Sequence, residues 1–154
     1  MGILIRPYAS EYLGALVPMW RRSFEYGVGV TDPNPLDEQR AYFLEQVLPH
    51  NEVRVALLGA ELVGFIAASS SEIAQLYVNP DYHGRGIGSG LLRWAQQNST
   101  GRLTLFTFAR NQRARAFYER KGFRMIARGF EEQWQLEDLQ YEWNSHDNAV
   151  RTAE

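Results

Sequence analysis

Apolar residues recur at helical spacing early in the chain. Leu13, Leu16, Val17, Trp20 and Phe24 share one side of a helix predicted over residues 11–26. Ser10 suits its N-cap, and Pro18 is expected to kink or divide it. A short strand at residues 3–6, ended by Pro7, precedes it. Residues 27–35 hold two glycines and two prolines and read as a loop. A second helix, 36–48, carries Tyr42, Phe43 and Val47 on one side and is closed by Pro49. The pattern then becomes strand-like. Residues 52–58 and 61–69 form a predicted hairpin about Gly59-Ala60, and 73–78 a further strand broken by Asn79-Pro80-Asp81. A helix at 88–97 turns Leu91, Leu92 and Ala95 inward, and a strand follows at 103–108. A helix at 112–121 ends on Gly122 as C-cap. Strands at 123–127 and 139–143 complete the series, and residues 145–154 form a polar tail expected to fray.

This order predicts an α/β fold, a mixed sheet with helices on both faces. A length of 154 residues suits one domain, taken as 1–144 plus the tail. Cysteine is absent, which excludes disulfides, thiolate metal sites and a cysteine nucleophile. His50, His83 and His146 lie far apart, so no metal site is expected. No apolar run approaches the roughly 20 residues of a membrane span. The N-terminus shows no targeting pattern. A soluble cytoplasmic protein with no membrane partner is the expectation.

Charge changes the picture. The net charge is -2, yet no Asp or Glu occurs between Tyr82 and Tyr118. That stretch holds Arg85, Arg93, Arg102, Arg110, Arg113 and Arg115, a charge of +6 that leaves -8 for the rest. A basic block in an acidic protein points to a local anion site and not to a nucleic-acid surface.

The block begins with a glycine-rich loop, His83-Gly84-Arg85-Gly86-Ile87-Gly88-Ser89-Gly90, between a strand and a helix. Glycines there let backbone amides at a helix N-terminus hold phosphate. A P-loop would need a lysine, and the loop has none. A dinucleotide loop would need Gly-x-Gly-x-x-Gly and an acid about 20 residues on. Ser89 and Leu91 stand where its third glycine should be, and no acid follows before Glu119.

The run from Gln75 to Gly88 resembles the acyl-CoA loop of the GNAT superfamily of N-acyltransferases, Gln/Arg-x-x-Gly-x-Gly/Ala, with His83 in the first position and Gly86 and Gly88 as the last two glycines. The run Asn111 to Phe123, with its Ala, Phe-Tyr and Gly-Phe spacing, resembles the family's fourth helix and next strand. The resemblance covers about residues 3–143. It implies a single domain of order β1-α1-α2-β2-β3-β4-α3-β5-α4-β6-β7. The sheet is mostly antiparallel and splays between strands 4 and 5 around a bulge at Val78.

The implied cosubstrate is acetyl-CoA, without a metal. The resemblance places it along Leu76, Tyr77 and Val78, on His83, Gly84, Arg85, Gly86, Ile87, Gly88 and Ser89, and on Asn111, Arg113, Ala114, Phe117 and Tyr118. The implied reaction is direct attack of a primary amine on the thioester in a ternary complex. Tyr118 would be the acid that protonates the leaving thiolate. Glu72, Glu25 or a water chain would take the proton of the amine. The first two helices imply an acceptor site at Trp20, Phe24, Glu25 and Tyr26, with Asp32, Glu131, Glu132 and Trp134 nearby. Acids among aromatics suit a small cationic amine or a lysine-like group, free or in a peptide. A non-catalytic acyl-CoA sensor on the same fold is the alternative function, and a homodimer is compatible with the family.

Overall fold

The chain follows the expected order of elements: β1 (Ile3–Pro7), α1 (Leu13–Val28), α2 (Leu36–Tyr42), β2 (Glu52–Leu58), β3 (Glu61–Ala68), β4 (Ile73–Val78), α3 (Ile87–Gln97), β5 (Arg102–Phe108), α4 (Gln112–Arg120), β6 (Arg124–Glu131) and β7 (Leu136–Asn144). The computed structural model describes residues 2–147; the rest of the expected tail, 148–154, lies outside the described residues.

The strands form two sheets. β1-β2-β3-β4 is antiparallel throughout, and so is β5-β7-β6. At the start of β4 and β5 the two sheets are linked by a parallel bridge between Glu72 and Thr104, where the Thr104 amide donates to the Ser71 carbonyl at 3.1 Å. Beyond it the sheets part, so β4 has an unpaired edge towards Val78. This is the splay that the family resemblance implies.

The bulge lies elsewhere than expected. Val78 pairs regularly with Gly64, whereas Gln75 pairs with Ala67 and Ile73 with Ala68, leaving Ala74 as the extra residue. The insertion switches the side-chain alternation along β4. Ile73, Leu76 and Val78 therefore pack together on the α3 side, while Tyr77 packs on the α1 side.

The α1 side buries Leu16, Trp20, Phe43 and Val47 against Val55 and Phe65, with Trp20 and Phe65 rings edge to face at 5.7 Å. The other side buries Leu91, Leu92 and Tyr118 against Ile66, Leu103, Leu139 and Tyr141. Each such large apolar side chain contributes roughly 1.5–3 kcal/mol. A Cβ on Gly64 would meet Ile87 and Leu91 side chains at 3.3 Å, so its absence lets α3 lie close on β3.

Several local expectations are corrected. α1 runs unbroken through Pro18, which has no amide hydrogen to give to the Gly14 carbonyl one turn earlier. Ser10 opens a 3-10 turn and caps nothing. Gly27 belongs to α1 and not to the loop. The second helix loosens into a π turn at Phe43–Val47 and a 3-10 turn containing Pro49. β6 and β7 are longer than their apolar cores, because cross-strand pairs such as Arg128–Glu137 at 2.9 Å extend the ladder.

Candidate active site

The splay opens a cleft of about 520 Å³ between the end of β4, the loop before α3, and α4. Its floor is set by α1, whose Ser23 hydroxyl donates to the Val78 carbonyl at 2.9 Å. Gly84 and Gly86 both have φ near +81°, and a Cβ on either would meet nothing within 4 Å. They turn the chain in a left-handed conformation and leave open space where side chains would stand. Gly86 caps α3, so the amides of the first helical turn face the cleft, where the helix dipole favours an anion. Arg113, Arg120 and Lys121 line the wall and no carboxylate does. An open glycine cradle, a helix N-terminus and an acid-free basic wall fit the pyrophosphate and 3′-phosphate of acetyl-CoA.

Most of the residues expected to hold the cosubstrate meet in this wall: Leu76, Tyr77, Val78, His83, Gly84, Gly86, Ile87, Gly88, Ser89, Asn111, Arg113, Ala114, Phe117 and Tyr118. Arg85 does not line it. Its guanidinium lies over the Tyr82 ring at 5.1 Å. Ser23, Gly27, Tyr82, Ala116, Arg120 and Lys121 join the wall without having been singled out. Ser23 was findable, as a polar residue three positions after Trp20 on the inward side of α1.

Asn111 has two tasks. Its Oδ1 accepts from the Ala114 amide at 3.2 Å and caps α4, and it faces the cleft. A Cβ on Gly27 would stand 2.8 Å from its amide nitrogen, so the glycine lets Asn111 lie close against α1. Tyr118 is buried, and burial followed by the nearby Tyr77 pushes its hydroxyl well above the usual phenol range. It stays protonated at any physiological pH. His83 Nε2 lies 3.2 Å from the Val78 carbonyl, while Nδ1 is buried with no protein partner. Burial, then the Arg113 charge, lowers its pKa; the bond to Val78 opposes this only in part. The neutral ring thus donates from Nε2 and turns a bare acceptor, Nδ1, inward.

Across β4 lies a second, open groove of about 410 Å³. Tyr77 lines both spaces, so one strand residue divides them. Burial raises its phenol to about 12. Trp20, Phe24, Tyr42 and Trp134 give the groove aromatic walls, and Asp32 and Glu38 add carboxylates. The β6–β7 turn delivers Trp134. Glu131 accepts from the Trp134 amide at 2.7 Å, and the indole packs on Phe24 at 5.2 Å.

The predicted acceptor residues divide. Trp20 and Phe24 line the groove. Glu25 instead accepts from the Asp32 amide at 2.6 Å and orders the loop. Tyr26 stands exposed with its ring 5.7 Å from His83, on the cosubstrate side. Glu72 is exposed at the closed end of the splay and lines neither space. Six residue steps of strand separate it from Val78, about 20 Å.

The family described as "Acetyltransferase (GNAT) domain" matches residues 49–125. The peptidyl-lysine N-acetyltransferase YjaB of Salmonella typhimurium is 33% identical over 132 residues, 83% of this chain and 88% of that protein. The solution structure of apo YjaB from Escherichia coli matches with a TM-score of 0.77 at 25% identity, covering 93% of this chain and 98% of that one. The PaiA N-acetyltransferase from Thermoplasma acidophilum, in complex with coenzyme A, matches with a TM-score of 0.75 at 20% identity, over 94% and 99%. With the match over half the chain and the relative over most of it, this protein belongs to the GNAT family and is an acetyl-CoA-dependent acyltransferase.

Proposed function

We propose that this enzyme acetylates the ε-amine of a lysine side chain, by direct attack in a ternary complex. The observation that carries the reading is the aromatic, carboxylate-bearing groove lying against the cosubstrate cleft across Tyr77. An ammonium group entering there meets aromatic faces and carboxylates, and both attract it. The relative YjaB, named for peptidyl-lysine acetylation, supports the same acceptor.

Acetyl-CoA supplies an activated thioester, so no covalent enzyme intermediate is needed. The chain's own residues then have three tasks. The glycine cradle with Arg113, Arg120 and Lys121 holds the phosphates. The unpaired edge of β4 orients the pantetheine arm and, through backbone donors, the thioester carbonyl. Holding both reactants in line is worth several kcal/mol of barrier, about 7–11 at best. The amine nitrogen forms its bond to the carbonyl carbon as the carbon–sulfur bond breaks. Tyr118 gives its proton to the departing thiolate. The amine's proton leaves through water in the open groove. This route is favoured over Glu72, which lies outside both spaces, and over Glu25, whose carboxylate is engaged by the loop.

The test is thiol release with acetyl-CoA and a panel of lysine peptides, polyamines, amino acids and neutral amines. Lysine peptides should turn over, and Tyr118→Phe should lower kcat about tenfold or more with an unchanged melting temperature. Turnover confined to neutral or anionic acceptors would sink the acceptor assignment. Full activity of Tyr118→Phe would remove that residue from the mechanism.

A further inference from the structure

The two halves of the site carry opposite charge. Arg113, Arg120 and Lys121 line the cosubstrate cleft without a carboxylate. The groove across β4 draws on two stretches far apart in sequence, and both are acidic. Residues 25–48 hold five carboxylates against the single Arg40, and residues 131–138 hold four with no basic residue. Among the described residues, Arg21 is the one cation in the groove wall, and it is already engaged. Its Nε lies 3.3 Å from the Asp32 carboxylate and donates to Gln39 at 2.8 Å. Glu38, on the same wall, is exposed, and no basic side chain pairs with it among the described residues. Glu132 stands exposed beside Gln133 of that wall and is likewise unpaired there.

The polar lining adds an independent requirement. Asn34, Gln39, Gln75 and Gln133 border the aromatic walls. Carboxamides both donate and accept, which matches the alternating N–H and C=O groups of an extended peptide. A small free amine would occupy the aromatic part and leave this border to water.

We infer that the acceptor is a lysine within an extended, basic stretch of polypeptide, whose neighbouring arginines or lysines are held by Glu38 and Glu132. This rests on the lysine reading above and names which lysines the enzyme selects. A polypeptide with acidic neighbours would bring like charges together across the groove, so the same carboxylates that attract one sequence reject another. Because both carboxylates are exposed, the preference is electrostatic and screened by salt.

The experiment compares three peptides of equal length, each with one lysine, flanked on both sides by arginine, serine or glutamate. kcat/KM should be roughly tenfold higher for the arginine peptide than for the glutamate peptide, expressed mostly in KM. The gap should narrow at high salt, and Glu38→Gln with Glu132→Gln should narrow it at low salt. Equal kcat/KM for the three peptides, or preference for the glutamate peptide, overturns the inference while leaving lysine acetylation standing. No turnover of any lysine peptide, with turnover of small amines, overturns the lysine reading and this inference together. A preference for the arginine peptide that survives both substitutions and high salt overturns the assignment to these carboxylates.

Discussion

A histidine stands where the family signature has glutamine or arginine, and its surroundings make it a reporter of pH. His83 is favoured as the neutral form in the folded protein, mainly by burial and secondarily by Arg113. Tyr26 packs on the ring and the Val78 carbonyl accepts from it. The unfolded chain binds a proton on histidine near the usual value of about 6.5. The folded chain binds it only at lower pH. The stability linked to His83 is therefore complete above about 6.5 and is lost as pH falls towards the lowered native value. Urea unfolding should show stability declining from pH 7 to 5. His83→Gln, which keeps a donor for the Val78 carbonyl, should flatten part of that decline. An unchanged slope would show that His83 titrates normally in the folded state. Tyr118 behaves oppositely, since its raised pKa keeps the proton on at every working pH. The family resemblance singled out both residues, but not their states. Burial decides those, and the packing of α1 and α4 produces the burial.

At the scale of elements, close approach governs the site. α1 touches three parts of it: Ser23 bonds the Val78 carbonyl, Arg22 pairs with Asp81 at 2.7 Å, and Gly27 lies against Asn111. The contact at Gly27 sets two effects of similar size against each other. Gly27→Ala gains about 1 kcal/mol of helix propensity. The new Cβ would displace the Asn111 side chain and weaken the α4 cap, which costs about 1 kcal/mol. The net stability change should stay within about 1 kcal/mol of zero. Asn111 would still move, so KM for acetyl-CoA should rise several-fold. Higher stability with an unchanged KM would mean that Asn111 yields at no cost to the cleft. The loop before α3 depends on backbone conformation instead. Gly86→Ala forces a side chain into φ near +81° and into the open cradle. Thermal shift by acetyl-CoA should shrink sharply for this variant, while the free protein melts within a few degrees of wild type. An undiminished shift would remove the cradle from cosubstrate binding.

Among the described residues, two sheets are joined by one parallel bridge and by helices, with the cleft in the split. A ligand lying there contacts both halves: β4 belongs to one sheet, and α4 precedes β6 of the other. Bound at 100 times its Kd, such a ligand adds about 2.7 kcal/mol of stability. Hydrogen exchange with acetyl-CoA should slow on both sides of the split, at residues 76–89 and 111–121. Protection limited to the glycine loop would mean that only the phosphates are held.

Much of this was written along the chain. The order of elements follows from local apolar periodicity and from glycine and proline positions, which act over a few residues. Most of the residues that line the cleft were legible through the family resemblance of two segments. The glycine cradle and the α4 segment are each contiguous, and an acid-free basic block marks them. Three things needed the folded chain. The aromatic groove gathers α1, α2, β4 and the β6–β7 turn, and no local pattern couples Trp20 to Trp134. The position of the bulge depends on how β4 meets β3, so Ala74 and not Val78 redirects the side chains of β4. The distance of Glu72 from both spaces depends on which end of the splay stays closed, which the Thr104 bridge settles. Sequence determines what each segment prefers by itself. Contacts between segments distant in the chain are a matter of packing, and only the tertiary structure decides them.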